Sequence, residues 1–307
     1  MFSYKGLEAK LKERGITRSD LTKELGISSR TIAKIGRGEK LSRVVMEKLC
    51  AYFSCETGEL CREVSSNPIL QTLREEKEAK ISGGLYHELQ VRMTYNSNHI
   101  EGSRLTESQT RLIFETNTLS AGDGVLVDDI LETVHHFRAI DYVIDCADDV
   151  LTEEIIKKLH EILKHDTKDA SLDWFAVGNY KKRPNVVGGH ETTKPKDVPA
   201  RMKALLSDYN AKRDITIQDI ISFHAELEKI HPFQDGNGRV GRLVALKECL
   251  RFSIVPFLIE DSKKAFYYRG LSEWDNEKGW LTDTCLDGQD TFKRLLSTFS
   301  LPVLPPI

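Results

Sequence analysis

The sequence of 307 residues is notable first for what it lacks. No apolar run approaches the roughly 20 residues that a membrane-spanning helix needs. The start, Met1-Phe2-Ser3-Tyr4-Lys5, shows no charged segment followed by an apolar stretch, so no secretory leader is expected. Six cysteines stand at 50, 55, 61, 146, 249 and 285, with no CxxC pair and no Cys/His zinc spacing. Reduced thiols in a cytoplasmic protein are the expectation. There is no internal repeat and no low-complexity tail; Pro302, Pro305 and Pro306 end the chain. The net charge is only −3, which excludes a globally basic nucleic-acid coat and leaves a local basic patch open.

What is present is mostly helical periodicity. Helices are predicted over 5–13 and 18–25, with a third that starts at Ser28 or Ser29 and stops at Gly36-Arg37-Gly38. A fourth spans 41–53, where Val44, Val45, Leu49 and Phe53 share a face, and a short fifth covers 56–62. Ser65-Ser66-Asn67-Pro68 reads as a linker. Beyond it helices are predicted over 70–80, 86–96, 127–146 and 152–165, with a loop at 119–123. One stretch breaks the pattern: Gly178, Pro184, Gly188, Gly189 and Pro195 surround Asn185-Val186-Val187, which suggests a short β-hairpin on a helical body. The expectation is an all-α chain with a small hairpin. Its parts are a helical unit at 1–64, a connecting region at 65–124, a core at 125–295 and a tail at 296–307.

The chemistry concentrates in residues 231–242, HPFQDGNGRVGR. A helix leads in through Ile217, Ile220, Ile221 and Leu227. Another leads out through Val240, Leu243, Leu246 and Leu250, with Lys247 and Glu248 assigned to a solvated side. Between them Gly236-Asn237-Gly238 lets the backbone bend and a ligand approach closely. Amides at the start of the second helix are unpaired and lie at the positive end of its dipole, which makes an anion site suited to phosphate. Asp235 offers a hard oxygen for Mg²⁺, which shares ligands with phosphates. Arg239 and Arg242, one turn apart, offer planar donors to different phosphates of a triphosphate. His231, if neutral, can take a proton from an incoming hydroxyl.

This string resembles the Fic family signature HPFx(D/E)GNGRxxR and matches it at every defined position. The resemblance extends over about residues 70–295. It implies a helical Fic fold with a β-hairpin flap, and transfer of AMP from ATP to a Ser, Thr or Tyr hydroxyl of a target protein and of the chain itself. In that scheme His231 is the base, Phe233 is buried beneath the loop, and Asp235 holds Mg²⁺. Asn237 orients the α-phosphate, the amides of Gly236 and Gly238 cradle the phosphates, and Arg239 and Arg242 take the β/γ end. Val186, Val187 and Gly188 resemble the flap that pairs with the target as an added strand, with a plain surface hairpin as the alternative. Tyr267 and Tyr268 lie where the family packs adenine, with an ordinary aromatic helix face as the alternative; Asp275-Asn276 departs from the family's downstream asparagine. Relatives that phosphorylate, as the Doc toxins do, lose part of the motif, so its full form favours AMP transfer.

Ser97-Asn98-His99-Ile100-Glu101-Gly102 reads by itself as a helix end, with Gly102 in the C′ place. Beside a Fic core it resembles the inhibitory motif (S/T)xxxE(G/N). The resemblance implies that Glu101, held by Ser97, pairs with Arg242 and occupies the arginine meant for the γ-phosphate. In the first helical unit, Thr17 to Ile35 resembles a Cro-like helix-turn-helix. That places Ser28, Ser29, Arg30, Thr31 and Lys34 on a recognition helix facing DNA, and a homodimer is expected. Local bases Arg18, Lys23, Arg37, Lys40 and Arg43 add to this; a small helical interaction domain is the alternative. At the level of function two further readings stay open: a DNA-binding regulator using a Fic-shaped nucleotide sensor, and a hydrolase that removes AMP.

Overall fold

The computed structural model describes residues 2–63, 67–119 and 124–301. The expected linker residues Ser65 and Ser66, most of the 119–123 loop and the prolines of the tail lie outside them. The chain divides into two compact units, Met1–Ser66 and Asn67–Ile307.

The first unit contains α1 (Lys5–Arg14), α2 (Asp20–Leu25), α3 (Ser29–Gly36), α4 (Arg43–Phe53) and α5 (Thr57–Leu60). Leu7, Leu21, Ile35, Leu49 and Leu60 meet in its core. Gly15 and Gly26 take left-handed backbones that stop α1 and α2. The Ser28 side chain accepts the Thr31 N–H at 3.2 Å and starts α3. A ribbon of β1 (Phe2–Ser3) and β2 (Arg62–Glu63) ties the two ends of the unit together, antiparallel. No periodicity predicts it, because a strand of two residues is too short to show one.

The second unit contains α6 (Pro68–Ala79), α7 (Leu85–Ile100), α8 (Glu107–Thr116), α9 (Val127–Asp145) and α10 (Glu153–Lys164). After the hairpin of β3 (Val186–Val187) and β4 (His190–Glu191) come α11 (Val198–Asn210), α12 (Ile217–Ile230), α13 (Asn237–Arg251), α14 (Lys264–Ser272) and α15 (Gly279–Thr298). The fold is all-α with a small hairpin. Helix α13 runs through its middle, packed against α7, α9, α10 and α12.

That placement corrects one expectation. Lys247 and Glu248 do not face solvent; they are 0% and 1% exposed. A helix enclosed on every side has no solvated face to give them. They pair with each other at 2.7 Å, and Lys247 also donates to the carbonyls of Ala147 and Asp149, so the buried charges are satisfied. Helix α7 also runs past the expected end at Asn96. Ser97, Asn98 and Ile100 continue its buried side, and Gly102, with φ +102°, ends it. Among the described residues no helix is long and apolar enough to cross a membrane.

Candidate functional site

The turn between α12 and α13 is built by local backbone constraints. His231 caps α12 in a left-handed conformation (φ 51°, ψ 63°), its N–H bonded to the Leu227 carbonyl at 2.9 Å. Pro232 follows and cannot continue the helix. Gly236, at φ 78°, begins α13. The first intrahelical bond runs from Val240 N–H to Gly236 C=O, so the amides of Asn237, Gly238 and Arg239 have no acceptor within the helix.

Below the turn Phe233 is fully buried and lies parallel to the His160 ring, 4.0 Å between centroids. His160 Nδ1 accepts the Gly178 N–H at 3.0 Å, and burial lowers its pKa to about 3, so the ring is neutral. Asn237 is not turned to the phosphate site. It is 2% exposed, its Oδ1 accepts Phe233 N–H at 2.8 Å and its Nδ2 donates to Phe233 C=O at 3.0 Å. In this structure it clamps the loop backbone, a task the sequence pattern did not reveal.

Asp235 and Arg239 belong to a closed ring of charges. Lys164 Nζ bonds Asp235 Oδ2 at 2.7 Å and Glu132 Oε1 at 2.6 Å. Arg239 joins the same two carboxylates, at 3.3 Å to Asp235 and closely to Glu132. Arg239 is 3% exposed, so Glu132 on α9 holds it where the sequence reading gave it to a β/γ-phosphate. Burial opposes the Asp235 charge, but the two cations outweigh it and hold the carboxyl far below its ordinary range. Asp235 is therefore ionised, and its side chain is half exposed. Such a single hard carboxylate fits Mg²⁺, which takes its other ligands from phosphates and water. Lys164 and Glu132 were not found from the sequence. The usable signal for Lys164 was a cation one turn beyond His160 on the apolar side of α10.

Above the turn the end of α7 meets Arg242. Arg242 Nη2 bonds Glu101 Oε1 at 2.7 Å and the Ser97 carbonyl at 2.9 Å; its Nε donates to Ser97 Oγ at 3.0 Å. Arg242 is 5% exposed. The Glu101 carboxylate lies over Gly238, where a Cβ would collide with Oε1, so glycine there admits the contact. Two bonds fasten the end of α7: Tyr268 OH donates to the Ile100 carbonyl at 3.0 Å, and the Asp261 N–H donates to Asn96 Oδ1 at 2.8 Å. Glu228 is half-buried with its carboxyl against Gly241, and burial raises its pKa to about 8.

Tyr267 is not an adenine platform. It is 1% exposed, and its hydroxyl sits 2.7 Å from His224 Nε2 and 3.4 Å from Arg242 Nη1. Because arginine only donates, the hydroxyl accepts from Arg242, and it shares a second hydrogen bond with the neutral His224 ring. Tyr268 is 42% exposed and remains open to a ligand. Val186 and Val187 are 63% and 48% exposed on the hairpin, turned by Gly188 and Gly189 at φ 57° and 82°.

His231 is neutral. Burial first, then the nearby Lys181 cation, lowers its pKa to about 4. A neutral imidazole can accept a proton, the state a general base requires.

In the first unit, Ser28 and Thr31 are joined by their hydroxyls at 2.9 Å and cap α3. Ser29 and Arg30 are exposed and Lys34 is half-buried. Arg18, Lys23, Arg37 and Arg43 each have a carboxylate within ion-pair distance. Among the described residues Arg30 and Lys34 on α3 have none, and neither does Lys40, which lies over the Phe2 ring.

Comparison with known proteins agrees with this architecture. Residues 150–249 match the Fic/DOC family, and residues 7–64 match the Cro/C1-type HTH DNA-binding domain. A protein adenylyltransferase Fic of Nematostella vectensis is 30% identical over 187 residues, covering 58% of this chain and 42% of the relative. The Drosophila melanogaster protein of the same name is 29% identical over 183 residues, covering 58% and 36%. The chain thus spans about two fifths of the length of these relatives. Among solved structures, a Fic domain-containing signaling protein from Bacteroides thetaiotaomicron superposes with a TM-score of 0.60 at 23% identity, over 78% of this chain and all of that one. Fic-1 from C. elegans gives 0.57 at 17% identity, over 76% and 72%. The chain therefore carries a Fic/DOC-family domain, with a Cro/C1-type helix-turn-helix domain ahead of it.

Proposed function

We propose that the protein transfers AMP from ATP to a hydroxyl of a target protein, and of itself, and that Glu101 restrains the transfer. The observation that carries this reading is the 2.7 Å pair between Glu101 and Arg242, set in an intact His231–Arg242 turn. A nucleotide sensor needs the anion site and the arginines but has no use for a neutral base at His231.

In the proposed reaction the triphosphate lies against the free amides at the start of α13. His231 accepts the proton of the incoming hydroxyl. The hydroxyl oxygen forms a bond to the α-phosphorus as the bond to pyrophosphate breaks, in line. Asp235 would hold Mg²⁺, which when bound neutralises phosphate charge. The rest of the work is positioning and charge stabilisation by groups already in place: Phe233 and Asn237 fix the loop, and the amides and Arg242 face the anion. With Glu101 on Arg242, the γ-phosphate finds its arginine taken and ATP settles in a pose unfit for attack. The exposed edge of Val186 and Val187 would take the target backbone as an added strand, and Tyr268 would border the base. Ser28, Ser29, Arg30, Thr31 and Lys34 would present α3 to DNA, as the match to the Cro/C1-type domain suggests.

The test uses ATP labelled either at the α- or at the γ-phosphate, with the Glu101→Gly protein. Label entering protein from the α position alone supports AMP transfer. Label from the γ position alone would make the protein a kinase, and no label from either, across a panel of targets, favours the sensor.

A further inference from the structure

Lys181 is 3% exposed, yet among the described residues no carboxylate lies within ion-pair distance of it. Of the other two deeply buried lysines, Lys164 has two at 2.6 and 2.7 Å and Lys247 has one at 2.7 Å. A buried cation without a counter-ion is costly, so its retention calls for a physical reason. Its neighbours supply one. The Lys181 ammonium donates to Asn185 Oδ1 at 2.8 Å and to Thr192 Oγ1 at 2.5 Å. Asn185 precedes β3 and Thr192 follows β4, so one side chain joins both feet of the hairpin. Its main-chain N–H donates to the Pro232 carbonyl at 2.9 Å, directly after His231. Asn185 Nδ2 reaches the Phe233 carbonyl of the same turn at 3.4 Å.

We propose that Lys181 is a positioning residue, which locks the hairpin onto the His231–Asp235 turn and presents a positive charge to the His231 imidazole. The role rests on the transferase reading only in what it serves; the contacts are independent of it. The charged groups facing His231 are Lys181 from the hairpin foot, Asp235 from its own loop and Glu101 from the end of α7. Lys181 disfavours the imidazolium, the two carboxylates favour it, and the Glu228 main-chain carbonyl accepts from the ring. Burial lowers Lys181 itself to about 8, so it is charged at neutral pH and its influence fades in alkali.

Two measurements on full-length protein without nucleotide test this. The first is an NMR titration of ¹⁵N-labelled histidine, with the His231 signal assigned by its loss in His231→Ala. Lys181→Met should raise the His231 pKa by roughly one unit, since a like charge beside it is gone. Lys181→Arg should restore the wild-type value. No movement in Lys181→Met, or equal movement in both variants, overturns the electrostatic role. The second is amide hydrogen exchange at Val186, Val187 and Glu191. It should accelerate in Lys181→Met, and unchanged exchange in that variant overturns the locking role; Thr192→Val, which also loses the direct Thr192–Asn185 bonds, should accelerate it as well. Thr192→Val keeps the charge, so it should leave the His231 titration in place. If Lys181→Met does not fold, Lys181→Gln carries the same two tests. Neither readout needs AMP transfer, so an inactive Glu101→Gly protein would sink the transferase reading and leave this one standing.

Discussion

Replacing Glu101 with glycine removes one charge-assisted bond from a guanidinium that keeps its other anchors. Arg242 still holds the Ser97 carbonyl at 2.9 Å, Ser97 Oγ at 3.0 Å and Tyr267 OH at 3.4 Å. It therefore stays aimed, with Nη2 released toward the anion site. A hydrogen bond to a charged group contributes about 1.5–3 kcal/mol, and about 1.4 kcal/mol is a tenfold change in rate. If ATP must displace that bond to reach the reactive pose, kcat/KM for AMP transfer should rise about 10- to 150-fold in Glu101→Gly. Glu101→Gln, which keeps a hydrogen-bonding group and loses the charge, should fall between. The same change should lower stability by about 1–3 kcal/mol, because Arg242 is left buried with less compensation, and Tm by roughly 2–10 °C. Initial rates with α-labelled ATP and thermal melts of the three proteins provide the assay. Equal transfer rates in wild type and Glu101→Gly, with ATP bound by both, would refute the reasoning.

Three further outcomes are expected. Tyr267→Phe should lower stability by about 1–2 kcal/mol, since the buried His224 loses its partner, and leave the Kd for ATP within about twofold; a collapse in ATP affinity with an unchanged melt would place Tyr267 against the nucleotide instead. For Glu101→Gly, kcat/KM should stay level from about pH 8 down to about pH 5 and fall below that, as His231 gains its proton near pH 4. The sign follows from the base being active only when neutral, and an acid limb at the ordinary histidine value of 6.5 would contradict it. Arg30→Ala should weaken DNA binding by the first unit and reduce the slope of log K against log salt by about 0.9, measured by fluorescence anisotropy; an unchanged slope would remove Arg30 from the phosphate contacts.

The clustering of the turn at 231–242 was legible because it is local: histidine, carboxylate, glycines and arginines fall within one loop and the start of one helix. The contact of Glu101 with Arg242 was legible only through the resemblance, since a glutamate before a glycine otherwise reads as a helix end. What escaped depends on other elements. Asn237 was expected at a phosphate, but nothing in the sequence says that Phe233 offers it both a donor and an acceptor. Arg239 was expected at the same ligand, but Glu132 reaches it from α9, far away in sequence. Tyr267 and Tyr268 are adjacent and similar, and helix geometry turns one into the core and the other outward. Lys247 and Glu248 look like a solvated face until α13 is seen enclosed by its neighbours. Helix positions were readable from periodicity; which polar residues a buried helix carries inward was not.

The central claim meets its most direct test in the intact mass of three proteins incubated with ATP and Mg²⁺: wild type, Glu101→Gly, and Glu101→Gly/His231→Ala. The account predicts an added AMP that is strong in Glu101→Gly, weak in wild type and absent when His231 is also replaced. An AMP adduct that survives the loss of His231, or equal modification of wild type and Glu101→Gly, would contradict it.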